Sequence, residues 1–133
     1  MITVPASHQD LLADQTRAIA FLATLMPDGS PQVTPVWFNT DGEYIYINTA
    51  IGRVKDRNMS SDPRVAILIQ HPEDPFHYLQ VRGKVIETTK AGADEHIDTL
   101  ERKYSGASKF KGRTPGMVRV IYIIKPEHIY PTK

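Results

Sequence analysis

The sequence predicts a mainly β fold with some helix, arranged as a small antiparallel barrel with short helices at its ends. Segments of alternating or continuous apolar residues recur along the chain, and most have the length of a strand. Turn residues separate neighbouring segments, and these connections are too short for the crossovers that parallel strands need. The helix-like segments stand apart from the strand pairs, which is typical of antiparallel sheets with segregated helices.

The first part of the chain predicts a helix followed by two strands. Ser7 to Asp10 has the pattern of a capping box, so we expect a short helix that ends near Gln15. Residues 18–25 are apolar apart from one threonine, which predicts a strand buried on both faces. A turn at residues 27–30 leads to a second, alternating strand over residues 32–38.

Pro35 lies inside this second strand. Because proline cannot donate a hydrogen bond to a neighbouring strand, we expect the strand to lie at a sheet edge or to be interrupted there. Asp41 and Gly42 then predict a hairpin turn into a third strand over residues 44–48.

The middle of the chain predicts a short helix and two strands. The helix begins at Arg53, and Asp62 followed by proline ends it. Residues 64–70 are rich in β-branched side chains, which favours a strand, and a proline-containing loop follows. Residues 78–88 predict a long strand, in which Gly83 indicates a bulge or bend.

The last part of the chain predicts a helix, a loop and a strand. Residues 91–104 are helical by pattern, with Ile97, Leu100 and Tyr104 forming one buried stripe. Residues 105–116 are polar and basic and are expected to form a loop. A final strand over 117–124 should end at Lys125 and the proline after it, leaving a short extended tail.

Length and composition limit the possible functions. The 133 residues are expected to form a single domain, 1–133. The net charge of +1 gives no general attraction to nucleic acid or membranes. No apolar run approaches the roughly 18 residues of a membrane span, and no signal peptide is recognisable. The absence of cysteine excludes disulfides and thiolate metal sites and suits a cytoplasmic protein.

Residues 48–58 form the most informative stretch, because several cationic and amide side chains cluster where a strand leads into a helix. The cluster consists of Arg53, Lys55, Arg57 and Asn58. Backbone N–H groups at a helix start, beside guanidinium and ammonium groups, suit a phosphate. The alternative is a solvated basic helix whose charges pair with Asp56 and Asp62. Charge alone leaves these two interpretations equally supported.

Two further groups of residues are candidate binding residues, one for a planar ring and one for a metal or haem. A flat heteroaromatic ring could lie along the second strand against Gln32, Val36 and Trp37, although local evidence favours Trp37 as an ordinary core residue. His71 and His77 have a spacing that only weakly indicates a metal or haem ligand, and no metal site is expected. The chain has no Walker loop, dinucleotide glycine motif or serine-histidine-aspartate order.

Several stretches together resemble a known family. They are residues 20–25, 29–38, 53–58, 62–66 and 78–83. The combined pattern resembles the pyridoxamine 5′-phosphate oxidase-like superfamily, the FMN-binding split barrels, and is most similar to the F-420-dependent flavin/deazaflavin oxidoreductase group. The resemblance implies a Greek-key-like split β-barrel of six to seven antiparallel strands. It also implies a homodimer with two cofactor sites at the interface.

The resemblance also implies which residues bind the cofactor. Those next to its phosphate would be Asn48, Thr49, Ala50, Arg53, Lys55, Arg57 and Asn58. Gln32, Val36 and Trp37 would flank its ring system. Phe76, His77 and Tyr78 would face the site from the second subunit, with Tyr78 or His77 as candidate proton donors.

The implied activity is hydride transfer from reduced coenzyme F-420, or from FMN, to an unsaturated small organic substrate. Cations in the later loop, Lys109, Lys111 and Arg113, slightly favour F-420 because its tail is acidic, and the alternative, equally well supported, is that they belong to a mobile polar loop. Oxidation of pyridoxamine phosphate is not expected, because the arginine-rich C-terminal segment of those oxidases is missing here. A carrier of FMN or haem without turnover, with His71 or His77 on the haem, remains the alternative. A nucleic-acid module is disfavoured by the near-neutral charge.

Overall fold

The computed structural model describes residues 1–133 and contains seven strands and two α-helices. The strands are β1 (Ile19–Leu25), β2 (Pro31–Val36), β3 (Phe38–Thr40), β4 (Ile45–Ala50), β5 (Arg64–His71), β6 (Asp74–Thr89) and β7 (Arg119–Pro131). The helices are α1 (Val54–Ser61) and α2 (Ala93–Ser105), and two short 3-10 segments, Ala6–Leu12 and Asp14–Thr16, precede β1. Neither α-helix has the length and apolar character that would be needed to cross a membrane.

The strands form one antiparallel sheet in the order β2-β1-β5-β6-β7-β4-β3. β2 and β3 are therefore at opposite edges, although only Trp37 separates them in the chain. The two edges can meet at one residue only if the sheet curls round on itself. The predicted mainly β split barrel with short helices is thus confirmed, and its seven strands lie within the expected six to seven.

The inward-facing side chains of the curled sheet form the core. Fully buried members include Ala20, Leu22, Phe38, Ile45, Ile47, Ile69, Leu79, Tyr122 and Ile124. Each large apolar side chain of this kind contributes about 1.5–3 kcal/mol of burial free energy. On β1 only alternate residues are buried, so the prediction of a strand buried on both faces was wrong. Phe21 and Ala23 point outward and stay half-buried.

The predicted N-terminal capping box is also wrong. The segment is a 3-10 helix that begins at Ala6, with Pro5 in the cap position and no capping side-chain hydrogen bond. Ser7 lies inside the segment, and its Oγ hydrogen-bonds to Nδ1 of His8 at 2.8 Å. A proline before the first turn fixes the entry of the chain, so the serine cannot take the cap position.

The second predicted strand is divided in two. β2 ends at Val36, and Phe38 begins β3 on the far edge of the sheet. The expectation for Pro35 is confirmed, because β2 is an edge strand and Pro35 lies opposite Phe21 of its single neighbour.

β7 continues past the point where the sequence predicted its end. Pro126 lies opposite Gly83, where the pairing of β6 and β7 shifts register, so the predicted irregularity at Gly83 is confirmed. A Cβ atom at Gly83 would collide with the backbone carbonyl of Lys125. The bulge therefore lets β7 keep its proline and continue to Pro131.

The predicted loop after β5 is instead a tight hairpin in which His71 pairs with Asp74.

Candidate functional site

A cleft of about 600 Å³ opens between the β2–β3 junction, the start of α1 and helix α2. The residues that line it are Arg17, Ile19, Pro35, Val36, Trp37, Asn48, Thr49, Arg53, Lys55, Ile97, Tyr104, Phe110 and Arg119. Its lining includes several cations and several aromatic rings, but no carboxylate and no histidine.

Three cations gather where α1 begins beside β7. Arg53 precedes α1, Lys55 lies in its first turn, and Arg119 is the first residue of β7. None of the three forms a salt bridge with a carboxylate within 4.0 Å. The α1 N-terminus also lacks a capping side chain, so its first backbone N–H groups have no side-chain acceptor. This end of the cleft is therefore rich in unpaired hydrogen-bond donors and positive charge.

The clustering of positive charge lowers the pKa of Arg119 and of Lys55. Arg119 is only 6% exposed, and burial together with the nearby Arg53 lowers its pKa to about 10. Burial also lowers the pKa of Lys55, and Arg53 and Arg119 lower it further. Arg53 thus opposes the charges of both neighbours, and only the more distant charge of Asp94 acts in the other direction, on Arg119. An anionic ligand would supply the missing charge.

The nearby acids are occupied elsewhere. Asp56 accepts hydrogen bonds from the Gly52 N–H at 2.8 Å and from the Tyr122 hydroxyl at 2.6 Å. Asp62 binds Arg64 at 2.7 Å. The ion pairs of Asp56 and Asp62 with the basic helix, which the alternative expected, are therefore not formed, and the phosphate site itself stays a prediction. Gly52 has a φ of +95°, a conformation that other residues rarely adopt, so Gly52 and Asp56 together fix the corner.

An aromatic wall forms the other side of the cleft. The indole of Trp37 stacks on the ring of Tyr104, with centroids 5.2 Å apart and planes 6° apart. Phe110 meets Trp37 edge-on at 6.4 Å and lies 5.1 Å from the guanidinium carbon of Arg119. Trp37 is half-buried and lies outside the core cluster, so the interpretation of it as an ordinary core residue was wrong. The Tyr104 hydroxyl donates to the Ala18 carbonyl at 2.7 Å, which holds the wall in place.

Thr49 contributes an unpaired polar atom to the cleft. The residue is only 1% exposed, and its Oγ1 has no hydrogen-bond partner. Leaving a buried hydroxyl unpaired costs about 1–3 kcal/mol. Thr49 lines the cleft, so a polar ligand that came within hydrogen-bond distance of this hydroxyl would recover that free energy.

The structure brings together six of the predicted cofactor residues. Val36, Trp37, Asn48, Thr49, Arg53 and Lys55 all line the cleft. Arg57 and Asn58 instead line a separate cleft of about 480 Å³ beside the β1–β2 turn. There the Asn58 amide donates to Thr24 Oγ1 at 3.0 Å, and that hydroxyl donates to Gln32 at 3.4 Å. Ala50 is buried and lines neither cleft.

The residues predicted to act from a second subunit lie on the β5–β6 hairpin, away from the cleft of their own chain. Phe76 is 80% exposed. His77 hydrogen-bonds through Nε2 to Asp10 at 3.0 Å, and the backbone N–H of Tyr78 donates to Thr132 at 2.7 Å. Their role across an interface stays a prediction. No group of three or more histidine, cysteine or acidic side chains is placed to hold a metal ion.

The later basic loop is held by buried acids of α2. Asp98 accepts from the Phe110 backbone N–H at 2.8 Å and binds Arg113 at 2.7 Å. Lys109 lies 3.7 Å from the same carboxylate. Glu101 accepts from the backbone N–H of Lys111 at 3.1 Å. Two of the three loop cations are therefore already paired, which weakens the argument that they favour an acidic cofactor tail.

Several cleft residues were not predicted from the sequence, and Arg119 is the most informative of them. The others are Arg17, Ile19, Pro35, Ile97, Tyr104 and Phe110, although Ile97 and Tyr104 were expected to be buried. Arg119 reaches the site because β7 pairs with β4, which places it opposite Ala50. An arginine heading a strand is not a signal by itself, because the pairing of distant strands is not visible in local patterns.

Comparisons with known proteins agree with this architecture. A family model described as pyridoxamine 5′-phosphate oxidase matches residues 5–133. A solved structure named F420 reductase is 31% identical, with a TM-score of 0.83 over 96% of this chain and 98% of that chain.

Two more distant structures share the fold. General Stress Protein 26 from Bacillus anthracis is 19% identical, with a TM-score of 0.68 over 95% of this chain and 91% of that one. HupZ from Group A Streptococcus is 20% identical, with a TM-score of 0.65 over 97% and 94% of the two chains.

Proposed function

The chain belongs to the pyridoxamine 5′-phosphate oxidase family, and from that premise we propose that it is an oxidoreductase that uses coenzyme F-420 to reduce an unsaturated small organic substrate. The similar structure named F420 reductase supports this choice of cofactor. FMN is the competing cofactor, because its single phosphate needs only a compact cationic cluster.

One observation carries the proposal. Arg53, Lys55 and Arg119 face one cleft without a carboxylate partner, beside the free N-terminus of α1. A phosphate would form charge-assisted hydrogen bonds with these groups and would relieve their mutual repulsion. Thr49 Oγ1 would gain the partner that it lacks. The donors in this cleft therefore suit the phosphate of either cofactor.

The chain would position the cofactor rather than perform acid–base chemistry from its own cleft. The cofactor supplies the hydride when bound. Trp37 and Tyr104 form a flat wall suited to a planar ring, and Val36 adds an apolar contact at its edge. Phe110 covers Arg119 and so limits the access of water to the cationic end. His77 or Tyr78 of a second subunit would donate the proton that completes the reduction.

We further propose that the protein is a homodimer. The outer face of β2, β1 and β5 carries an uncovered apolar row, because paired outward positions are Val33 with Ala23, Phe21 with Leu68, and Ala23 with Ala66. Val33 is 63% exposed. Pro35 lies on the same face and also lines the cleft, so a second copy seated there would reach the cofactor site.

The dimer is tested by its molar mass in solution. Val33→Lys should convert the dimer to a monomer in light scattering after gel filtration, because it places a charge in the apolar row. Ile86→Lys is the matched control, since Ile86 is an exposed aliphatic residue on β6. A wild-type monomer at micromolar concentration would overturn this part of the proposal.

A second candidate function is cofactor binding without turnover, as in a carrier of FMN or haem. The absence of any histidine or carboxylate from the cleft lining favours an FMN carrier, because a catalytic proton donor would have to come from elsewhere; it does not favour haem, which would need a histidine such as His71 or His77. Protein that binds F-420 or FMN tightly but reduces no acceptor in its reduced form would support the carrier.

The deciding experiment is titration of the purified protein with F-420 and with FMN, followed by absorbance and fluorescence. We expect saturable binding of F-420 at micromolar concentration and slower or weaker binding of FMN. Reduction of an activated alkene by the protein loaded with chemically reduced F-420, with oxidation of the cofactor in equal amount, would then establish turnover. If neither cofactor bound, the proposed function would be rejected.

A further inference from the structure

Four side chains form a continuous hydrogen-bonded chain behind the cationic end of the cleft. Arg119 Nε donates to Asn48 Oδ1 at 2.8 Å. The amide nitrogen of Asn48 donates to the Ala93 carbonyl at 2.8 Å and lies 3.1 Å from His96 Nδ1. His96 Nε2 lies 2.9 Å from Asn39 Oδ1. The chain thus runs from the cleft through β4 and α2 to β3.

The donor and acceptor chemistry of these groups allows only one direction for the hydrogen bonds that link them. The Ala93 carbonyl can only accept, so the amide nitrogen of Asn48 must face it, and Oδ1 must face Arg119. The same nitrogen can donate to His96 only if Nδ1 carries no proton. His96 then carries its proton on Nε2 and donates it to Asn39 Oδ1. A neutral imidazole is therefore the form that completes every bond.

The surroundings of His96 favour that neutral form. Burial, together with the smaller effect of the Arg119 charge, lowers its pKa to about 4. The ring of Tyr46 on β4 lies edge-on at 6.4 Å, and its own pKa is raised to about 12, so it adds no charge at neutral pH. His96 does not line the cleft that holds the cations, and it reaches Arg119 only through Asn48.

The orientation of the Arg119 side chain depends on this series of hydrogen bonds. A long arginine side chain gains conformational entropy when it is released, and the like charge of Arg53 disfavours its position, an effect that the attraction of Asp94 offsets in part. Only Asn48 holds Nε, while Nη1 contacts the sulfur of Met117 at 3.3 Å. Fixing Asn48 therefore fixes the buried cation in the cleft wall.

We propose that His96 is a positioning residue that holds Arg119, through Asn48, in the orientation that binds an anionic group in the cleft. The inference rests on the proposed function only for the identity of that anion. His96 acts without touching the ligand, so its effect on binding requires Arg119.

The first test uses the protein without any ligand. The Arg119 Nε–H signal in ¹H–¹⁵N NMR, assigned by its loss in Arg119→Lys, should exchange slowly with solvent. His96→Phe should accelerate that exchange by about tenfold or more, since Asn48 loses one of the two acceptors of its amide nitrogen and keeps only the Ala93 carbonyl. His96→Gln should restore slow exchange, because its carboxamide can both accept from Asn48 and donate to Asn39. Glu95→Gln, an exposed neighbour on α2, is the control.

The second test is a double-mutant cycle read by F-420 titration. His96→Phe should weaken binding about tenfold in the wild-type background and not at all in the Arg119→Lys background. Equal weakening in both backgrounds would overturn the proposal and leave His96 a packing residue. Nε–H exchange that is unchanged in folded His96→Phe would also overturn it, whatever the cofactor does. Failure of wild-type protein to bind F-420 or FMN would instead reject the proposed function, while the NMR result would still stand.

Discussion

Two stretches of this chain look alike in sequence and differ in the folded protein. Residues 53–57 and residues 109–113 each place three cations at alternate positions. In the second stretch, Arg113 and Lys109 pair with Asp98 of α2. In the first, Arg53 and Lys55 have no carboxylate partner, because Asp56 and Asp62 bind other groups. A run of positive charge therefore indicates a binding site only when the neighbouring acids are engaged elsewhere.

The largest expected effect comes from Arg119, the buried cation of the unpaired group. Arg119→Met should weaken F-420 binding by roughly 3 kcal/mol, since it removes a hydrogen-bonded charge from a desolvated position. The free energy of unfolding should change by less than about 1 kcal/mol, because the lost bond to Asn48 is offset by relief of repulsion. Isothermal titration and urea unfolding measure the two quantities. Unchanged affinity would show that the unpaired cations do not bind the cofactor.

Lys55 and Arg53 should show the next largest effect. Lys55→Ala and Arg53→Ala should each weaken cofactor binding by about 2 kcal/mol if these groups bond a charged phosphate. Arg57→Ala is the matched comparison, because Arg57 lies on the same helix but lines the separate cleft. An equal loss in Arg57→Ala would mean that the position of the charge relative to the cleft is irrelevant.

The free energy of unfolding should depend on pH because of His96, which is linked to Arg119 through Asn48. The pKa of His96 is about 4 in the folded protein and 6.5 in its ordinary state, so the unfolded chain binds the proton more readily between these values. Stability is therefore greatest above pH 6.5 and is lost as the pH falls toward 4. The partial exposure of His96 reduces the expected loss to roughly 1.5 kcal/mol.

Urea unfolding from pH 7 to pH 4 measures this loss. His96→Gln should remove that part of the pH dependence, whereas His128→Gln, which changes an exposed histidine, should retain it. If the free energy of unfolding of His96→Gln fell with decreasing pH as steeply as that of the wild type, the pH dependence would belong to other groups.

The smallest effect is expected in the paired stretch. Arg113→Met should lower the free energy of unfolding by about 1 kcal/mol, because it removes an ion pair from the buried carboxylate of Asp98. Binding of F-420 should be unchanged. If Arg113→Met instead weakened F-420 binding and left stability unchanged, residues 109–113 would belong to the cofactor site. The distinction between residues 53–57 and residues 109–113 would then be lost.

Local patterns were sufficient for most of the fold. Alternation, turn residues and the position of Pro35 predicted the strands, and Gly83 predicted the bulge. Apart from the N-terminal capping box, where Pro5 takes the cap position, the errors arose where distant segments meet. Pro126 ends no strand because the bulge at Gly83 faces it. Half of the predicted cofactor residues line the cleft, but Arg119 was missed, since its place beside the cleft depends on the pairing of β7 with β4.

The position of β7 in the sheet has a consequence for how the protein folds. β7 lies between β6 and β4, so before it docks the chain can form only two separate half-sheets, β2-β1-β5-β6 and β4-β3. These half-sheets use pairings that are mostly close in sequence, whereas β7 must find β4 across a long intervening segment. We expect β7 to dock late and to limit the folding rate. Because Arg119 begins β7, the candidate site would be assembled only in that last step.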